Sequence, residues 1–263
     1  MMFARLLSPY RCPPMKILVA NWKMELGVRE SVALARGVVR GLRGLKEVPH
    51  VYLAPSHPAL TDVAKVLGRS RVLLAAQDVF GEVQGAYTGF VSAKQIKEVG
   101  AGAVIIGHSE RRMFAGETDA DVARKFAQAV EHHLDPIVCV GEPAAVRENG
   151  EALAYVHDQL DAILASADVS KRRRLIVAYE PIWAIGSGVT PTIHDVREMH
   201  RAIRERFEEA GMERVSVLYG GSVNSENVYE FVSDSEVDGV LVGGASTRLN
   251  SLMELIGVVS EVS

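Results

Sequence analysis

Short runs of Val, Ile, Leu and Ala recur along the chain, separated by longer stretches that mix apolar and charged residues at helical spacing. Apolar runs without polar alternation predict strands buried on both faces. Eight can be read, at residues 16–20, 51–54, 72–76, 103–106, 137–140, 175–179, 215–219 and 239–242. Between them lie amphipathic stretches. Residues 30–42 set Val32, Leu34, Ala35, Val38, Val39 and Leu42 at helical spacing, and residues 195–207 repeat the pattern with Val196, Met199, Ile203 and Phe207. Strand and helix alternate without a composition break or long linker, which implies a parallel sheet built from right-handed crossovers. Eight such units fit a single closed (β/α)8 barrel over residues 15–263; an open doubly wound sheet is the competing arrangement.

Residues 1–14 stand apart. They carry Arg5 and Arg11 and no acid, and end in Pro13-Pro14, whereas Met15-Lys16-Ile17-Leu18-Val19 runs straight into the first strand. They read as a disordered extension or a mis-assigned start, since the apolar stretch is short and has no small-residue cleavage site. Composition narrows the class further. The chain has 263 residues, 48% hydrophobic and 24% charged, with a formal net charge of -4. That balance excludes a strongly basic nucleic-acid binder and an acidic disordered chain. No apolar run approaches the ~20 residues needed to cross a bilayer. Two cysteines, Cys12 and Cys139, cannot build a disulfide framework, so a reducing compartment is expected. Cys139 lies within Ile137-Val138-Cys139-Val140 and reads as a buried core thiol.

In a barrel the chemistry gathers on the loops that follow the strands. Asn21 and Lys23 follow the first strand, and Gly107-His108-Ser109-Glu110-Arg111-Arg112 the fourth. Glu180-Pro181-Ile182-Trp183 and the loop Ala184-Ile185-Gly186-Ser187-Gly188 follow the sixth. Gly220-Gly221-Ser222 and Gly243-Gly244-Ala245-Ser246 follow the seventh and eighth. Singly, Glu180 reads as a surface charge, His108 as a structural histidine, Lys23 as a solvated cation and the glycine pairs as turns. Together, on one face, they point to chemistry. Glu180 is a candidate base beside a stiff Pro-Ile-Trp segment and a flap able to exclude water. His108, before a helix start, suits a neutral electrophile. Lys23 is placed to face an anion, and the glycine loops of strands 7 and 8 occupy the usual phosphate position.

Other patterns fall short. Gly100-Ala101-Gly102 precedes a strand and lacks a third glycine, and Gly107-His108-Ser109-Glu110-Arg111 ends in Arg where a nucleophile elbow needs Gly. His132-His133 point in different directions from a helix, and Asp119 and Asp121 lack the rest of a calcium loop.

The motifs Asn21-Trp22-Lys23-Met24, 106–112, 178–186, Tyr219-Gly220-Gly221-Ser222-Val223 and Val242-Gly243-Gly244-Ala245-Ser246, in this order, resemble the triosephosphate isomerase family from about Met15 to the C-terminus. The resemblance implies a TIM barrel that interconverts dihydroxyacetone phosphate and D-glyceraldehyde 3-phosphate through an enediolate, in glycolysis and gluconeogenesis in the cytoplasm. It implies Glu180 as base, the scheme that general accounts of pKa tuning use this family to illustrate. His108 is then the neutral electrophile, with Lys23 supplying positive charge and Asn21 a hydrogen bond. Backbone N–H groups of Gly186, Ser222, Gly243 and Gly244 would hold the phosphate, with Ser109 and Glu110 in support. No metal or organic cofactor is implied, and the expected partner is a second copy, with a higher oligomer open. The nearest rival is another phosphate-binding barrel enzyme; a catalytically idle barrel scaffold is the rival of a different class.

Three features depart from the family. The flap ends Val189-Thr190-Pro191, where Lys, a variable residue and Ala are usual. Phe90 follows Gly85-Ala86-Tyr87-Thr88-Gly89, where a Glu is usual that pairs with the arginine matching Arg111. Asp78 stands where Asn is usual. Arg111 therefore needs a different partner here, and the subunit interface is expected to be wired differently.

Overall fold

Each of the eight apolar runs pairs in parallel with the next, and the last pairs with the first. The computed structural model describes residues 15–45, 47–167, 174–186, 189–212 and 214–263. The extension expected at residues 1–14 lies outside the described residues. The strands are β1 (Ile17–Asn21), β2 (His50–Ala54), β3 (Leu73–Ala76), β4 (Ala103–Ile106), β5 (Asp135–Val140), β6 (Ile176–Tyr179), β7 (Ser216–Tyr219) and β8 (Gly239–Val242). Closure runs from Ile17 opposite Gly239 to Ala20 opposite Val242, which rules out the open doubly wound sheet.

Side-chain alternation along each strand builds two cores. Ile17 and Val19 of β1 join Tyr52, Ile105, Ile137, Ile176, Leu218 and Leu241 inside the barrel. Leu18 and Ala20 point the other way and pack with the helices in a larger outer core. Burial on both faces is why these strands read as unbroken apolar runs.

The helices are α1 (Val28–Leu42), α2 (His57–Leu67), α3 (Ala93–Glu98), α4 (Ser109–Ala115), α5 (Asp119–Glu131), α6 (Ala144–Glu148), α7 (Ala152–Ser166), α8 (Ile193–Glu209), α9 (Val228–Val232) and α10 (Leu249–Ser260). Two begin earlier than periodicity suggests because capping, not hydrophobicity, sets their starts. Thr192 accepts the Asp195 N–H while Asp195 accepts the Thr192 N–H, so α8 starts at Ile193. The Glu30 carboxylate accepts the Gly27 N–H in the same sense and brings the start of α1 forward to Val28. Strand β5 also begins early, at Asp135, because Pro136 at the strand entrance costs little pairing. Among the described residues no helix is long and apolar enough to cross a membrane.

His200 of α8 is fully buried edge-on to Tyr179, with Nδ1 at 3.0 Å from the Glu236 carbonyl oxygen. Burial drives its pKa from the ordinary value of 6.5 down to about 3. The unfolded chain therefore binds this proton below about pH 6.5 while the folded chain refuses it, so stability falls as pH drops towards 3. From pH 7 to pH 5 the loss from this one group is expected to be about 2 kcal/mol. Urea unfolding of wild type and His200→Asn at both pH values checks it; equal losses in the two proteins would remove His200 as the cause.

Candidate active site

The C-terminal ends of the strands surround a hollow of about 280 Å³. Asn21, Lys23, His108, Ser109, Glu110, Glu180, Ser222, Gly243 and Gly244 all line it. Of the expected catalytic, phosphate-binding and supporting residues, Gly186 alone is not in the lining; it follows Ile185, the flap residue that reaches the hollow. Ser187 and Gly188 of the flap lie outside the described residues.

Glu180 directly follows β6, where its carboxylate is buried. Oε2 accepts the Ser109 N–H at 2.8 Å, and Oε1 lies 3.0 Å from His108 Nε2. Its backbone fits only because residue 141 is glycine. A Cβ there would lie 1.7 Å from the Glu180 carbonyl oxygen. Cys139 is buried nearby, and burial together with the Glu180 charge holds its thiol well above the ordinary range. It is the inert core thiol the sequence suggests.

His108 is the N-cap of α4, and its Nδ1 accepts the Glu110 N–H at 3.2 Å. An accepting Nδ1 carries no proton, so the proton of a neutral ring sits on Nε2, the nitrogen turned towards Glu180. A backbone N–H at a helix start thus fixes the tautomer.

Lys23 has φ of 49°, a left-handed conformation uncommon for a residue with a side chain. Two side chains hold it there. The Lys23 N–H donates to Asn21 Oδ1 at 3.0 Å, and Gln77 Nε2 donates to the Lys23 carbonyl oxygen at 2.8 Å. The aliphatic stem then crosses the loop after β8. A Cβ on residue 243 would sit 2.8 Å from Lys23 Cε, so glycine there leaves room for the lysine. Lys23 Nζ pairs with Glu110 Oε1 at 2.5 Å.

The glycine loops are braced from below. Asn227 Nδ2 donates to the Ser222 carbonyl oxygen at 2.9 Å, and Ser246 Oγ donates to the carbonyl oxygens of Val242 and Gly243 at 3.0 and 2.7 Å. A short 3-10 helix, Gly244–Ser246, starts where these peptides face the hollow.

The root of the flap is tied to Glu142, a fully buried carboxylate two residues beyond β5. Trp183 Nε1 donates to its Oε1 at 2.8 Å and the Tyr179 hydroxyl donates at 3.0 Å. Burial raises the Glu142 pKa against the pull of these donors and of Arg147. The Arg147 guanidinium lies 4.3 Å from the Trp183 ring centroid. Gln77, Glu142 and Asn227 escaped the sequence reading. Gln77 directly follows β3 and Glu142 lies two residues beyond β5, so both obey the same loop rule, but a lone Gln or Glu carries no distinguishing neighbours.

Arg111 finds its substitute partners within its own chain. It pairs with Asp78 at 3.0 Å and with Glu117, and Lys125 bridges the same two carboxylates, reaching Asp78 at 2.6 Å. Phe90 stacks on Phe80 with centroids 4.1 Å apart. The carboxylate gained at position 78 thus supplies what position 90 does not.

The triosephosphate isomerase family profile matches residues 16–259. The chain is 44% identical to triosephosphate isomerase of Thermus thermophilus over 92% of its length and 98% of that protein. It is 40% identical to that of Thermoanaerobacter pseudethanolicus, over 91% and 98%. A crystal structure of triosephosphate isomerase from Bartonella henselae superposes with a TM-score of 0.81 at 34% identity, covering 92% of this chain and 98% of that one. A closed barrel with this mouth and these relatives is an enzyme of the aldose–ketose isomerase class. The chain belongs to the triosephosphate isomerase family. Membership assigns the reaction, interconversion of the two triose phosphates.

Proposed function

We propose that Glu180 is the base of this isomerisation, with His108, Lys23 and Asn21 completing the catalytic set. The observation that carries the reading is the buried Glu180 carboxylate, 3.0 Å from the protonated edge of His108 in a hollow that also holds Lys23. Glu180 takes a proton from C1 of dihydroxyacetone phosphate and returns it to C2. His108 donates from Nε2 to the carbonyl oxygen and relays the proton between the two oxygens. Lys23 offsets the negative charge of the enediolate, and Asn21 donates a hydrogen bond beside it. The Ser109 N–H holds the Glu180 carboxylate and Glu110 holds Lys23. Backbone N–H groups of Ser222, Gly243 and Gly244 hold the phosphate, joined by Gly186 once the flap closes. Closure excludes the water that would let the enediolate phosphate decompose. Proton transfer contributes about 10²–10⁴-fold and preorganised charge much of the remainder. The reaction uses no metal or organic cofactor, because the substrate carbonyl stabilises the carbanion, and it serves glycolysis and gluconeogenesis in the cytoplasm.

The phosphate assignment predicts that 2-phosphoglycolate raises Tm in a saturable manner, by about 2.7 kcal/mol of stabilisation at a hundredfold excess over Kd. Differential scanning fluorimetry checks it, and a flat titration would contradict it.

The enzyme works as a homodimer in this reading. Met24, Tyr87, Phe90, Met113 and Phe114 are all exposed, on the loops after β1 and β3 and on α4. Apolar residues in such number beside one mouth suit a self-complementary interface. Phe114→Glu is expected to shift the protein to monomer in sedimentation velocity at micromolar concentration. A monomeric wild type would sink the proposal.

A further inference from the structure

On the outside of the barrel a groove of about 690 Å³ runs between α1 and α2, more than twice the volume of the 280 Å³ active-site hollow. Its lining carries Arg29, Arg36, Arg40, Arg43 and Lys65 against one acid, Asp62. Asp62 is occupied by Lys65 at 2.9 Å. None of the four arginines has a carboxylate within ion-pair distance among the described residues, although helical arginines elsewhere are paired, such as Arg112 with Asp119, Arg147 with Asp195 and Arg204 with Asp238. A chain with a net charge of -4 has therefore gathered cations on one helix face and left them unneutralised.

The geometry of α1 explains how. At about 100° per residue, Val28, Val39 and Val32 fall side by side, followed by Arg43, Arg36, Arg29 and Arg40, all within an arc of about 120°. The other sides of the helix are taken. Leu34, Val38 and Leu42 face the core, while Gly37 and Gly41 lie against Leu249 and Met253 of α10. What remains is an apolar strip of valines, widened by Val66 of α2, beside a cationic strip about 21 Å long.

We infer that this groove binds an acidic amphipathic helix of a partner protein, its carboxylates on the arginines and its apolar side chains on the valines. Helix-in-groove recognition needs apolar anchors and matching charges at helical spacing, and both are present. The same features disfavour other polyanions. The lining has no aromatic side chain on which a base could stack.

The test is fluorescence anisotropy with a synthetic peptide of about 15 residues, Glu and Leu segregated to two helical faces, long enough to span the groove. The expected result is saturable, salt-sensitive binding to the full chain. Arg36→Glu/Arg40→Glu weakens it by about tenfold or more and Val39→Ser by severalfold, with isomerase activity unchanged in both. A scrambled peptide of the same composition is expected to bind at least tenfold more weakly. Equal binding of the scrambled peptide, or unchanged binding by the double variant, overturns the inference. Tighter binding of a single-stranded oligonucleotide or of phosphatidylglycerol-containing vesicles overturns it as well, by transferring the groove to another class of partner.

Discussion

Glu180→Asp is expected to lose about two orders of magnitude or more in kcat while remaining folded. Removing one methylene withdraws the carboxylate by more than an ångström, and misplacement of that size costs about 10²-fold in a proton transfer whose partners are otherwise fixed. The fold tolerates the change, because the backbone of residue 180 is set by β6 and by the space over Gly141, not by the side chain. A modest fall in Tm accompanies it, since the 2.8 Å bond from the Ser109 N–H loses its acceptor, at about 1–2 kcal/mol. A coupled assay with glyceraldehyde 3-phosphate, alongside circular dichroism, reads both quantities. A variant that turns over near the wild-type rate would take the role of base away from Glu180.

Lys23→Met is expected to weaken 2-phosphoglycolate by about 10²–10³-fold in titration calorimetry and to lower kcat as well. Two charges change at once. The cation is lost, worth about 4 kcal/mol at contact distance in a medium of effective dielectric constant 20, before solvent screening reduces it. Glu110, which Lys23 neutralises at 2.5 Å, is also left as a bare carboxylate facing an incoming dianion. Methionine keeps the length of the stem that crosses Gly243, so steric disruption is minimal. Unchanged affinity would mean that the lysine serves its own unusual backbone turn and not the ligand.

Much of this was legible in the sequence, for definite reasons. Burial on both faces makes barrel strands read as apolar runs, so each expected strand meets an observed one with ends no more than two residues apart, and β4 and β8 match at both ends. The loops after β1, β4, β6, β7 and β8 announced themselves because several polar or glycine residues cluster in each. What escaped depends on contacts made across the barrel. Gln77 acts on the carbonyl of Lys23, fifty-four positions away, and Glu142 receives Trp183 from the next βα loop. Gly141 matters only because the Glu180 backbone passes over it. Phe90, in place of the usual Glu, implies that the Arg111 contact is replaced. Its solution, with Asp78, Glu117 and Lys125 in one chain, is a matter of packing.

The mouth of the barrel pairs its charges within itself. The Glu180 carboxylate leans on the Ser109 N–H and the Lys23 ammonium on Glu110, so each already has a partner. Occupancy is therefore an exchange of partners, and an incoming molecule is selected by how many resident bonds it can replace. A molecule bearing a carbonyl and a hydroxyl at the right distance from its phosphate can displace both. Discrimination on this surface would then work through the bonds a ligand must break as well as those it makes.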